Sequence, residues 1–255
     1  MGHCAIGGAE LGEKQTIATF QQPPDDEPLL EASPLVRGMR LTADYMTENG
    51  GIGLTKSGAF NRKFVHWAAA HFDWPEYSEA DLFRLNKVLD EPDFPLVVDI
   101  HALLEGLQLG RRRKGAFTLN RAGRDLMAST GRLFAEVVPA YLFRINHAAH
   151  LRFETRLPGG WDVFLNVINV EAQYATTLSE LRISLYGPCD QEVDRRDGVR
   201  SALYITVVRP LAWAGLVQID PCGTTGRDYA IVKSELWRRC LRLDTDTHLR
   251  PRIVQ

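Results

Sequence analysis

Twice along this chain an apolar stretch at helical spacing ends in a glycine and a leucine, then gives way to two short extended runs around a turn. The first such junction is Leu104-Glu105-Gly106-Leu107 and the second is Trp213-Ala214-Gly215-Leu216. A switch of hydrophobic period from about 3.6 to 2 forces each segment to bury a helix stripe and one hairpin face in the same core. The expected fold class is therefore mainly α with short β-hairpins, as two winged-helix-like units joined by helices.

The first unit is read over residues 33–158. A helix is expected from Leu35 to Met46, broken by Glu48-Asn49-Gly50-Gly51, with a short strand at Ile52-Gly53-Leu54 and a turn at Thr55-Lys56-Ser57-Gly58. Phe60, Phe64, Trp67, Ala68 and His71 share a helical face. Ser78 with Asp81 three residues on is a helix start, followed by a stripe of Leu82, Leu85, Val88 and Leu89. Pro95 suits the first turn of a third helix reaching Leu107. Arg111-Arg112-Arg113-Lys114-Gly115 and Ala116-Phe117-Thr118-Leu119 then read as a hairpin with a basic tip. Three helices and a hairpin is the winged-helix order, a variant of helix-turn-helix. Asn120 caps a further helix, Gly131 marks its end, and a longer helix runs from Leu133 to His147.

Gly159-Gly160 is the expected boundary, and the second unit is read over 161–245. Phe164 to Leu181 is expected as one helix and Asp190 to Asp197 as a charged connection. Val199 to Trp213 is a buried helix in which Pro210 predicts a kink or break. Gly215 to Ile219 and Tyr229 to Val232 flank a turn-rich tip with Gly223 and Gly226. Residues 1–32, with Pro23-Pro24 and the acidic run Asp25-Asp26-Glu27, read as a weakly ordered lead-in, and 246–255 as a tail.

Charge decides where a ligand is sought. The chain has a formal net charge of −2, so any nucleic-acid role must rest on a local patch. Between Arg111 and Arg132 stand seven cations and one acid, Asp125, a local charge of +6. The candidate phosphate contacts are Arg111, Arg112, Arg113, Lys114, Arg121 and Arg124. Lys56, Arg62 and Lys63 either extend the patch or are ordinary surface. The helix before the hairpin offers Asp99, His101 and Glu105, with no Arg or Asn placed for base reading. Backbone contact is thus expected to dominate over sequence readout. The second hairpin, near Cys222 to Asp228, is close to neutral.

The run Leu54-Thr55-Lys56-Ser57-Gly58, then Leu103-Leu104-Glu105-Gly106-Leu107, then Phe117-Thr118-Leu119-Asn120-Arg121-Ala122-Gly123, then Val208-Arg209-Pro210-Leu211-Ala212-Trp213-Ala214-Gly215-Leu216 resembles the C-terminal region of Ri-plasmid open-reading-frame-three-like bacterial proteins. The similarity spans residues 35 to 242. It implies a plasmid or mobile-element context and supports the winged-helix reading. It imports no catalytic residues, and that family's small β-rich domain has no counterpart in this sequence.

No catalytic site, metal site or cofactor is expected. There is no H-E-x-x-H, no G-x-G-x-x-G and no Walker or G-x-S-x-G pattern. His147 and His150 stand three apart without a supporting Cys, Asp or Glu. Cys4, Cys189, Cys222 and Cys240 form no C-x-x-C pair and read as reduced thiols in a cytoplasmic protein. No run approaches the ~18 apolar residues of a membrane span. The expected partner is duplex DNA, gripped through the basic hairpin. The alternative is a protein-interaction module that binds a partner or a second copy without catalysis.

Overall fold

The computed structural model describes residues 18–151, 155, 157–188, 198–222 and 228–249. Over these it is mainly helical, with three small antiparallel sheets. The expected charged connection at 190–197, the tip around Gly223 and Gly226, Cys4 and Cys189, residues 1–17 and residues 250–255 lie outside them.

Helix α1 (Pro34–Asn49) starts where Ser33 accepts from the Val36 N–H and Pro34 opens the first turn. It ends at Gly50, whose φ of 72° is left-handed; both ends follow from sequence chemistry. Strand β2 (Ile52–Gly53) follows, then α2 (Arg62–His71), capped by Asn61. Helix α3 (Glu79–Leu85) is capped by Ser78 as expected but stops before Val88 and Leu89. Helix α4 (Pro95–Gly106) leads into β3 (Gly110–Arg113) and β4 (Ala116–Leu119). The sheet order is β2-β4-β3. Lys114 and Gly115 form the two-residue turn, both at positive φ, 49° and 76°, the twist that a tight hairpin requires.

Asn120 caps α5 (Arg121–Met127), and Ser129 caps α6 (Thr130–Arg144). Gly131 therefore opens a helix rather than closing one. A Cβ there would run into the Pro23 carbonyl oxygen, so glycine is needed for close approach of residues 23–25. Asp25 Oδ1 accepts from Ser129 Oγ and the Gly131 N–H, both at 2.8 Å. The Ser129 bond, then the Gly131 bond, holds the Asp25 carboxyl below its ordinary range. Residues 18–32 thus depart from the weakly ordered lead-in expected of them. Strand β1 (Thr19–Phe20) also pairs with β8 (Leu241–Arg242), and Glu27 meets Arg239 at 2.7 Å.

The second half repeats the order of the first. Helix α7 (Trp161–Glu171), strand β5 (Thr176–Thr177) and α8 (Leu178–Tyr186) come first. The single helix expected over 164–181 is therefore interrupted: Thr177 and Glu180 form a capping box that starts α8 anew. Helix α9 (residues 199–213) is continuous through Val199–Leu203, a π-helical stretch Tyr204–Val208, and Arg209–Trp213. Pro210 has no N–H for the α-helical ladder and its ring crowds the carbonyl four residues back. Widening to i→i+5 bonds just upstream accommodates it. Strands β6 (Val217–Cys222) and β7 (Asp228–Lys233) complete a sheet of order β5-β7-β6.

The two halves share one continuous hydrophobic cluster. Its seam is made by α9. Trp213 sits edge-on to Trp74 at 5.3 Å and to Tyr77 at 5.8 Å, between ring centroids. Arg209 lies over Trp213 and donates to Tyr77 Oη at 3.1 Å. Ser33 Oγ donates to the Ala214 carbonyl at 2.9 Å.

Candidate nucleic-acid interface

Strand alternation divides the basic hairpin between two faces. Arg112 pairs in register with buried Phe117, whereas Arg111 pairs with Thr118 and Arg113 with Ala116. On the Phe117 side, Arg112 reaches back to the end of α4. Its Nε and Nη2 donate to Glu105 Oε1 at 2.9 and 2.8 Å. Arg111, Arg113 and Lys114 are exposed and make no ion pair among the described residues.

The β2–β4 pairing brings the loop at 54–58 alongside this tip. Leu54 N–H donates to the Gly115 carbonyl at 2.8 Å. Within the loop Thr55 Oγ1 and Ser57 Oγ lie 2.9 Å apart, and Thr55 Oγ1 accepts from the Ala59 N–H. Between loop and hairpin is a cleft of about 330 Å³, lined by Leu54 to Gly58 and Arg112 to Gly115. Lys56, Arg112, Arg113 and Lys114 contribute four cations to its walls, Thr55 and Ser57 contribute hydroxyls, and no carboxylate lines it. The cleft was not read from the sequence. The Thr55-Lys56-Ser57-Gly58 turn was visible there, but its nearness to the hairpin depends on a strand pairing between residues more than sixty positions apart.

The remaining candidates stand apart from the cleft. Arg121 is fully outward, 91% exposed, 3.7 Å from Asp125. Arg124 is turned back, its Nη1 donating to the Leu119 carbonyl at 2.9 Å. Arg132 is held by Glu136 at 2.7 Å and Arg62 by Asp90 at 2.7 Å. Of the six residues expected to touch phosphate, the fold leaves Arg111, Arg113 and Lys114 uncommitted together, with Arg121 nearby in sequence on α5.

Helix α4 carries a correction. Its polar residues were expected to face a groove, but Asp99 and His101 are buried. Asp99 Oδ1 meets His150 Nε2 at 3.0 Å. His101 Nδ1 meets Glu91 Oε1 at 2.9 Å, and its ring stacks on Phe60 at 3.9 Å. Glu91 also accepts from the Phe60 N–H. Only Ala102, Glu105 and Gly106 of α4 are exposed, so this helix offers nothing with which to read base edges.

The histidines at the link between the halves serve the fold. His147 Nε2 lies 2.9 Å from the Tyr141 carbonyl. Burial pushes the His147 imidazole down to about 4, against a smaller upward pull from Asp99. Among the described residues no group of three or more His, Cys, Asp or Glu could hold a metal ion, and no helix is long and apolar enough to cross a membrane.

In the second half the polar chemistry is internal. Buried Lys233 Nζ donates to Asn169 O at 2.7 Å and to Asn169 Oδ1 at 2.8 Å. Trp237 Nε1 donates to the same Asn169 Oδ1 at 3.1 Å. Burial lowers the Lys233 ammonium to about 8. Cys240 is buried and Cys222 half-buried, both as free thiols.

Comparison with known proteins respects the same division. Residues 31–132 match the model of the Y4jL N-terminal domain, and residues 151–233 match that of the y4jL C-terminal domain. The chain is 43% identical to the uncharacterized protein y4jL of Sinorhizobium fredii (strain NBRC 101917 / NGR234) over 155 residues, covering 60% of this chain and 70% of that protein. No solved structure matches. With both domain models in chain order and that identity, the chain belongs to the y4jL family.

Proposed function

We propose that this is a tandem winged-helix protein whose first wing grips the phosphate backbone of duplex DNA without reading its sequence. In each half a helix, a strand, two or more helices and a hairpin follow in order, and the first strand pairs with the last. That pattern supports the winged-helix reading of both units. The observation that carries the function is the cleft beside the first wing, with four cations, two hydroxyls and no carboxylate. Neutralising phosphates there releases condensed counterions, so affinity falls with salt. The burial of α4 argues for backbone contact alone. A bacterial plasmid or mobile-element context and a cytoplasmic setting belong to the same proposal. A second reading, a protein-interaction module, rests on a different observation, the exposed apolar side chains gathered on α7 and α8.

The test is a fluorescence-anisotropy salt titration with duplexes of unrelated sequence. The parent is expected to bind them alike. Replacing Lys56, Arg111, Arg113 and Lys114 with alanine should flatten the slope of log K against log salt by about 3 to 4, at ~0.9 for each phosphate left without its cation. Unchanged binding by the quadruple variant removes the wing from the interface.

A further inference from the structure

Six large apolar side chains are exposed among the described residues, and they lie in two places. Leu85 (76%) and Val88 (46%) stand at the end of α3 and just beyond it. Val163 (42%), Val170 (42%) and Tyr174 (57%) lie along α7 and the turn after it, with Ile183 on neighbouring α8. Positions 163, 167, 170 and 174 fall at i, i+4, i+7 and i+11, one stripe of a helix, with half-buried Val167 completing it. Single exposed apolar residues are normal on a folded surface. A stripe of them on the outer side of a helix is the mark of an interface.

Charge indicates what covers each patch. Helix α7 carries Asp162 and Glu171 and no cation, and Glu180 stands in the first turn of α8. Leu85 and Val88 are flanked by Arg84 and Lys87. Asp81 lies 3.3 Å from Arg84, and Lys87 makes no ion pair among the described residues. One patch is therefore apolar with an acidic rim, and the other apolar with a basic one.

We propose that the α7 stripe of one copy docks on the Leu85–Val88 patch of a second copy, head to tail. Pairing two α7 stripes about a two-fold axis sets Asp162 and Glu171 against acids, whereas the head-to-tail arrangement sets them against Lys87. The contact joins two different surfaces, so it propagates into a ring or an open array rather than closing as a dimer. It does not depend on the phosphate reading, because neither patch includes a residue of the basic cleft.

The test is sedimentation velocity across a concentration series, on the parent, Leu85→Glu, Val170→Lys and an equimolar mixture of the two variants. Each substitution places a like charge opposite the proposed partner at a position already open to solvent. Unchanged circular dichroism and melting will show that each variant remains folded. The parent is expected to grow past the dimer with concentration and each variant to stay monomeric. The mixture should form a one-to-one dimer and nothing larger, because only one productive contact remains. A monomeric parent at every concentration overturns the proposal, as does a mixture that stays monomeric. Dimers of Leu85→Glu alone overturn it too, in favour of stripe-on-stripe pairing.

Discussion

The helix before each hairpin meets different neighbours in the two halves. Helix α4 satisfies its polar groups close to home: His101 on Glu91, Glu105 on Arg112, Asp99 on His150. Helix α9 sends its own across the seam, Arg209 to Tyr77 and Tyr204 to Glu76. The first half thereby keeps a hairpin whose cations face solvent. The second half gives its helix to the joint and buries its hairpin lysine, Lys233, on Asn169. One order of elements, used twice, yields an outward-facing unit and an inward-facing one. The difference lies in which side chains are long and charged at the hairpin and which are aromatic on the helix.

The strongest way to break this comparison is Trp213→Ala. Trp213 is 2% exposed and touches Trp74, Tyr77 and Arg209. Loss of a buried tryptophan costs about 3 to 5 kcal/mol. Because the indole belongs to a core shared by both halves, urea denaturation should show one shifted transition followed alike by far-UV and tryptophan signals. Two separated transitions would mean that α9 stabilises its own half alone.

The link between the halves sets a smaller, pH-dependent effect. His147 titrates near 4 in the folded chain and near 6.5 when unfolded. Between those values the unfolded chain binds the extra proton, so stability falls as pH drops from about 6.5 to 4. The loss has an upper bound of about 3 kcal/mol, at 1.36 kcal/mol per unit. Above pH 6.5 the imidazole is neutral in both states and contributes no slope. Denaturation midpoints across this window should flatten in His147→Gln. If they stay as steep, groups other than the linker histidine govern the acid side.

Smaller again is the cap that ties residues 23–25 to the first half. Ser129→Ala removes the hydroxyl that accepts from the Arg132 N–H and donates to Asp25. Losing an N-cap costs about 1 kcal/mol. Ser234→Ala is the matching change in the second half, where the hydroxyl accepts from the Trp237 N–H and donates to the Gly215 carbonyl. Thermal melts should rank the two losses alike. A much larger loss for Ser234→Ala would show that the seam beside Gly215 depends on that hydroxyl.

What could be read in advance were features with local causes. Ser78, Pro95, Asn120 and the Lys114-Gly115 turn each announce an element through chemistry within three or four residues, and each stands where expected. Strand β5 was missed because two residues carry no alternation. It exists only through pairing of Thr176 with Ile231, fifty-five positions away. The Thr177–Glu180 capping box was the local signal that could have split the helix there. The candidate site divides in the same way. The run of cations at 111–114 was visible, and strand period predicts that Arg112 faces away from Arg111 and Arg113. That Glu105 waits on that side, and that Lys56 arrives on the other strand's loop, are consequences of tertiary pairing.

The smallest change in stability is also the sharpest probe of the outward-facing half. Glu105→Gln removes the acid that holds Arg112, in a pair whose side chains are 53% and 42% exposed. An exposed pair of this kind contributes ~1 kcal/mol or less, so melting should move little. Freed of Glu105, Arg112 can join Lys56, Arg113 and Lys114 in the cleft. Duplex affinity should then rise at low salt and the salt slope steepen by about 0.9. Glu235→Gln removes the same charge in the second half, where Glu235 contacts Arg238 and Arg239. Were the two substitutions to raise affinity equally, total charge would explain both, and the first hairpin would lose its claim as the place where phosphates are held.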